Sequence, residues 1–102
     1  MLNRAYVEHD LGHHNAAIAM IRRVLMIRTC QFGTASREVA EAEYAYARLL
    51  ESSGDLLEAI EHIDFAVAIV KRHGAVDMLP GYEFAQRSIY ERVASNRMNA
   101  SR

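Results

Sequence analysis

The sequence predicts an all-α protein whose helices fold back on one another as antiparallel hairpins. Three observations support this prediction: regularly spaced glycines, many helix-forming residues, and apolar residues at helical spacing. Gly12, Gly33, Gly54 and Gly74 recur at nearly equal intervals along the chain. Because glycine readily adopts the left-handed conformation that ends a helix, each one is expected to terminate a helix of about 16 residues. Two such units form a helical hairpin with a period of about 42 residues, within the range typical of solenoid repeats.

The composition is typical of a single folded domain. Of its 102 residues, 51% are hydrophobic, 25% are charged and 16 are alanine, which favours packed helices over disorder. The net charge of −1 gives no reason to expect a nucleic-acid partner. Charged residues interrupt the apolar stretches, so no membrane-spanning segment or signal peptide is expected. The single cysteine, Cys30, suits a reducing compartment, and we expect a cytoplasmic location.

The first two helices are predicted over residues 2–11 and 15–31, and they end at Gly12 and Gly33. Helical spacing in the second helix predicts an inward face and turns Arg22 and Arg23 to the opposite side. That inward face consists of Ile18, Ile21, Val24, Leu25 and Ile27 or Arg28.

The third helix is predicted over residues 36–53, with Gly54 at its end. Thr34 or Ser36 is expected to cap its amino terminus, and Glu38 lies in the first turn, where the helix dipole favours an acid. Its inward face is predicted to consist of Val39, Ala42, Tyr46, Leu49 and Leu50.

The fourth helix is predicted to follow Asp55, because Asp55 and Glu58 have the spacing of a capping box. The cations of residues 71–73 suit its last turn, before Gly74. Its inward face is predicted to consist of Leu56, Ile60, Ile63, Val67 and Val70, with Ala59 and Ala66 leaving room for a neighbouring helix.

A fifth helix is predicted from Pro80, a first-turn proline, to about Asn96. Phe84, Ile89 and Val93 are expected among its buried residues. The domain is therefore predicted over residues 1–96, with a frayed tail at 97–102.

Shifting the chain by one hairpin, from Gly12 onto Gly54, superposes small residues on small residues. Ala5 falls on Ala47, Gly12 on Gly54 and Ala17 on Ala59, and Ala66 is a further small residue of the second repeat that fits the tetratricopeptide pattern. This pattern resembles the tetratricopeptide repeat (TPR) over residues 2–93, and its long period is similar to that of kinesin light chains. It departs from the family in lacking the large aromatic early in the first helix and the proline that usually ends the repeat. The resemblance implies an α-solenoid scaffold of about five helices that binds proteins.

A narrower set of residues resembles the carboxy-terminal helical domain of the SET-and-MYND lysine methyltransferases. That set is Ser36, Glu38, Val39, Ala40, Glu43, Leu49, Leu50, Gly54, Glu58, Ala59, Ala66, Ile69, His73 and Gly74. Under this alternative, the chain is the helical part of a larger enzyme. The zinc sites and methyl-donor pocket of that family have no counterpart in the sequence.

The TPR resemblance places a partner-binding groove on the first helix of each hairpin. Carried over by position, its residues are Tyr6, His9, Asp10, Glu41, Tyr44, Arg48, Glu51, Gln86 and Tyr90. Tyrosine and arginine are favoured at binding hot spots. The alternative is that these side chains form ordinary exposed helix faces. Since Arg48 is the sole base among these groove positions, the chaperone-binding TPR proteins, which grip a carboxylate with several bases, are a poor match.

No catalytic residue, cofactor or metal is expected. His9, His13 and His14 surround a turn with Asp10, but Gly12 interrupts the helix, so solvated histidines are the preferred interpretation. Cys30 is expected to be a partly buried structural thiol. The remaining histidines, at positions 62 and 73, are expected to be isolated and exposed.

The predicted function is therefore a non-enzymatic protein–protein interaction module. A second hypothesis is self-association into a homodimer or other homo-oligomer, because a stack of fewer than three repeats leaves an uncapped end at Leu2, Tyr6, Val7 and Met20.

Overall fold

A computed structural model of the chain describes the backbone of residues 2–100 and the side chains of residues 2–97. This part contains five α-helices and no strand, which confirms the all-α prediction. The helices are α1 (Leu2–Asp10), α2 (His14–Phe32), α3 (Arg37–Ser53), α4 (Leu56–His73) and α5 (Leu79–Ala100). Helix α5 extends beyond the predicted end at Asn96, so the backbone is helical over 97–100; the remainder of the predicted frayed tail, 101–102, lies outside the described residues.

Each helix packs against the next one along the chain, and α3 contacts all four of the others. Helix α1 also contacts α3, and α3 contacts α5. The whole measures 47 × 32 × 19 Å.

The four regularly spaced glycines lie between helices with positive φ, as predicted. Gly54 and Gly74 are left-handed caps, and the Gly54 N–H donates to the carbonyl oxygens of Leu50 and Glu51. A side chain at such a φ is strained, which explains why glycine ends these helices.

The two predicted amino-terminal caps have different outcomes. Ser36 has an extended backbone, and its Oγ accepts the Val39 N–H at 3.1 Å, so it is the cap of α3. The capping box at Asp55 and Glu58 is wrong, because the Asp55 side chain bonds no N–H of α4. With ψ at 66°, Asp55 lies outside the extended region typical of a capping residue, and its carboxylate accepts the Ser53 Oγ–H at 3.3 Å instead.

The core forms around α3 and α4. All five residues of the predicted inward face of α3 are buried, including Tyr46. On α4 four of the five are buried, while Ile60 is partly buried and packs against the core. Alanines fill the closest helix approaches, and those without exposed surface include Ala5, Ala17, Ala47, Ala59, Ala66 and Ala85. The alanines of the repeat pattern are therefore core residues.

Three predicted burials fail outside this central pair. Phe84 is 67% exposed, Ile27 is 36% exposed and Cys30 is exposed. Phe84 lies two residues from buried Tyr82 and therefore about 200° around α5 from it. Helix α5 packs on α3 and α4 by one side alone, so that position faces outward.

Candidate binding surface

Three tyrosines, one each from α1, α3 and α5, lie close to one another. Tyr44 and Tyr82 stack with ring centroids 4.4 Å apart and an interplanar angle of 11°. Tyr6 is partly buried against the same core, within electrostatic range of Tyr44. We call Tyr6, Tyr44 and Tyr82 the tyrosine row. Tyr82 is not among the predicted groove residues. Tyr44 lies midway between Tyr6 and Tyr82 in the sequence, so the equal spacing of these tyrosines is a signal that points to Tyr82, whereas the spacing of the glycines does not.

Two phenols of the row, those of Tyr6 and Tyr82, have a raised pKa. Burial raises the pKa of Tyr82 to about 12, and the negative charge of Glu41 acts in the same direction. Burial is also the largest cause that raises the pKa of Tyr6. The neighbouring Tyr44 raises this pKa further, while the positive charge of Arg48 lowers it. A neutral phenol combines an apolar ring with an O–H donor. Tyr82 is 8% exposed, so Tyr6 and Tyr44, which are partly exposed, are the members of the row that offer ring surface to solvent.

Charged side chains border the row. Arg28 Nη1 forms an ion pair with Glu41 Oε1 at 3.0 Å and donates to the Glu38 carbonyl at 2.9 Å. Arg48, half exposed, lies beside Tyr6 and pairs with Glu51 Oε1 at 2.8 Å. An acid–base pair and a second arginine therefore lie near the row.

Glu51, predicted as a groove residue, is instead a buried link between α3 and α5. Its side chain is 9% exposed, accepts the Ser88 Oγ–H at 3.1 Å and pairs with Arg48. Its backbone carbonyl accepts from Arg92 Nη1 at 2.8 Å. This carboxylate is therefore occupied within the protein.

The structure brings four of the predicted groove residues together: Tyr6, Glu41, Tyr44 and Arg48. His9 instead hydrogen bonds to Ser52 Oγ at 2.9 Å. Gln86 Nε2 and Tyr90 Oη donate to the Asp64 carboxylate of α4, at 2.9 and 2.7 Å. A shift of one full hairpin carries Tyr44 onto Gln86 and Arg48 onto Tyr90. The residue of α5 that stacks on Tyr44 is instead Tyr82, which lies one helical turn before Gln86.

A cleft of about 430 Å³ continues the surface at the end of α2 and the beginning of α3. It is lined by Arg28, Phe32, Arg37, Glu38, Glu41 and Met78. Glu41 belongs to both the cleft and the border of the tyrosine row. Arg37 Nη2 donates to the Met78 Sδ at 3.5 Å.

His62 is neither isolated nor fully exposed, contrary to the sequence-based expectation. Its Nδ1 donates to Glu43, and its ring stacks on Tyr46 with centroids 4.2 Å apart. Arg22 Nε donates to the Tyr46 hydroxyl at 2.8 Å, which links α2, α3 and α4. His73 is exposed, as expected, and its Nε2 donates to the Ala35 carbonyl at 2.6 Å.

The histidines around the first turn take separate partners. His13 Nδ1 bonds to Glu8 Oε2 at 2.7 Å, while the His9 and His14 rings meet edge to face at 5.7 Å. Among the side chains that the structure describes, no three His, Cys, Asp or Glu residues are grouped to hold a metal ion.

Comparisons of the chain with protein-family models, curated proteins and solved structures give no match. The resemblances to TPR proteins and to the methyltransferase helical domain therefore stay predictions from the residues. Among residues 2–100, no helix combines the length and apolar character needed to cross a membrane.

Proposed function

We propose that the chain is a TPR-like α-solenoid scaffold without catalytic activity, which binds a segment of a partner protein across the tyrosine row. The single observation that supports this best is the stacking of Tyr44 on Tyr82, with Tyr6 close by. Tyrosine suits recognition because it supplies a wide apolar surface and a hydrogen-bond donor with few rotatable bonds. Glu41 and Arg48 border the row and would orient a partner by charge.

The packing of the other helices around α3 supports a binding surface that is rigid before a partner binds. The surface rests on the core around α3, so a partner helix or extended segment would meet preformed side chains and pay little ordering cost on the protein's side. The single thiol, Cys30, is exposed, and we propose a reducing cytoplasmic location.

A random peptide display library selected on the immobilised chain tests this function. The most enriched peptide is then titrated by calorimetry against the wild type and against Tyr44→Ala. We expect the substitution to weaken binding by about 2 kcal/mol or more, the cost typical of a hot-spot residue. Tyr90→Ala is the matched control, because Tyr90 is an exposed tyrosine that bonds to α4. Equal affinities for wild type and Tyr44→Ala would refute the proposed surface.

A second candidate function is self-association, which exposed apolar residues in and between α1 and α2 favour. Of the residues predicted at the uncapped end, Val7 is 54% exposed, whereas Leu2, Tyr6 and Met20 are partly buried against the core. Leu11 and Met26 are 64% and 63% exposed, and exposed apolar surface is typical of an interaction site. Light scattering after size exclusion should detect a dimer that Met26→Glu dissociates. A wild-type monomer at high concentration would exclude this candidate.

A further inference from the structure

The outward side of α4 is left uncovered by the other helices of residues 2–100. Five exposed residues follow one another along it at helical spacing: Leu57, Glu61, Phe65, Ala68 and Arg72. At about 100° per residue, the five fall within an arc of about 80° around the helix axis. The residues of α4 without exposed surface, such as Ile63, Ala66 and Val70, lie on the opposite side, in the core. We call the five exposed residues the α4 face.

The middle of the α4 face combines a projecting ring with a hollow. Phe65 is 45% exposed, and Leu57, at 71%, extends the apolar surface toward the beginning of the helix. Beside Phe65 lies a hollow of about 230 Å³, which is lined by Thr34, Ala35, Phe65, Ala68, Ile69 and Arg72. Exposed apolar surface of this kind is typical of an interaction site. The α4 face therefore offers a large apolar side chain and, next to it, a place where another one fits.

The two charged residues of the α4 face have opposite signs and lie toward opposite ends of the helix. Glu61 is in the first half of α4, and Arg72 is in its last turn. Within residues 2–97, neither side chain forms a hydrogen bond or an ion pair. An occupant that carries a base and an acid in the reverse order along the helix would therefore neutralise both.

The α4 face is complementary to itself when it is reversed. The pair Glu61 and Arg72 and the pair Phe65 and Ala68 are both centred between residues 66 and 67. A two-fold axis through that point therefore places the acid of one copy opposite the base of the other, and the large ring opposite the small alanine. In such a symmetric dimer each contact occurs twice. A parallel arrangement would instead place acid on acid and base on base, so the order of the residues selects an antiparallel second copy.

We propose that two copies of the chain pair through the α4 face, with their α4 helices antiparallel about a two-fold axis. The Phe65 ring of each copy packs on Ala68 of the other, at the hollow, and is removed from water. Glu61 of each copy forms an ion pair with Arg72 of the other. Because one helix from each copy makes the contact, the interface is small and the dimer is weak. The α4 face is distinct from the tyrosine row and from the exposed residues of α1 and α2, so this inference rests on neither.

Sedimentation equilibrium from about 10 μM to about 1 mM tests for the dimer, since weak homodimers dissociate in this range. Phe65→Ala should raise the dissociation constant by about tenfold or more, the effect typical of a buried anchor residue. Phe84→Ala is the matched control, because Phe84 is an exposed phenylalanine of α5 outside the α4 face, and it should leave the dimer unchanged. A wild-type monomer over the whole range, or equal effects of the two substitutions, overturns the inference.

Exchange of the two charges tests the antiparallel order. Glu61→Arg places base opposite base in the symmetric dimer and Arg72→Glu places acid opposite acid, so each should raise the dissociation constant about tenfold. The double variant Glu61→Arg/Arg72→Glu restores both ion pairs and should regain the wild-type affinity. If it does not, while circular dichroism shows that each variant is folded, the inference is overturned. A dimer that Met26→Glu dissociates and Phe65→Ala leaves intact also overturns it, because the contact would then lie on α1 and α2.

Discussion

Replacing Glu51 by alanine should destabilise the protein by about 2 kcal/mol through the α3–α5 contact. The lost carboxylate accepts the Ser88 O–H and pairs with Arg48 and Arg92, and hydrogen bonds to charged groups contribute about 1.5–3 kcal/mol each. We reduce their sum because the Arg48 and Arg92 side chains are 37% and 47% exposed, so water replaces part of what they lose. For a domain of this size, the melting temperature should fall by about 10 °C.

Thermal and urea unfolding followed by circular dichroism measure this effect. Glu51→Gln should cost about half as much, since the amide oxygen still accepts from Ser88. Glu91→Ala is the control for loss of an exposed acid on α5 and should change stability by less than about 0.5 kcal/mol. A Glu51→Ala protein that melts with the wild type would refute the assignment of this carboxylate as a buried link. A double-mutant cycle with Ser88→Ala should give a coupling of about 1 kcal/mol.

Three further predictions test the core, the caps and the tyrosine row. Ile63→Ala should cost about 2–5 kcal/mol in urea unfolding, because Ile63 has no exposed surface, whereas Phe84→Ala should cost less than about 0.5 kcal/mol; equal costs would contradict the assigned faces. Ser36→Ala should cost about 1 kcal/mol and Asp55→Ala less, since Ser36 alone of the two caps its helix. The raised pKa of Tyr82 means that the folded state holds the phenol proton more tightly than the unfolded state does. The resulting contribution to the free energy of unfolding is complete below about pH 10 and disappears as the pH rises through about 12. Tyr82→Phe should lose this alkaline dependence in pH-resolved unfolding, and an unchanged dependence would assign it to other groups.

Much of the fold follows from local signals in the sequence. The glycines end helices because a left-handed residue is needed there, and Ser36 begins α3 because its hydroxyl accepts a free N–H. The inward faces of α3 and α4 follow from residues three and four positions apart, since these helices are surrounded by others and one stripe must be buried. These features depend on interactions within one turn or one helix, which sequence patterns describe well.

The candidate surfaces depend instead on which helix lies beside which. Glu51 is buried because Ser88 and Arg92 of α5 reach it, and His62 pairs with Glu43 because α4 crosses α3 at that height. A repeat period does not specify such contacts. Residues a few positions apart on a helix face different neighbours, and Gln86 accordingly contacts α4.

The sequence by itself therefore determined the helices, their ends and the core of the central hairpin, because short-range spacing and capping chemistry decide those. The tertiary structure alone decided that Tyr44 stacks on Tyr82 and that Glu51 is occupied by Ser88 and Arg48. These outcomes depend on helix register, which is set by packing between segments far apart in the chain.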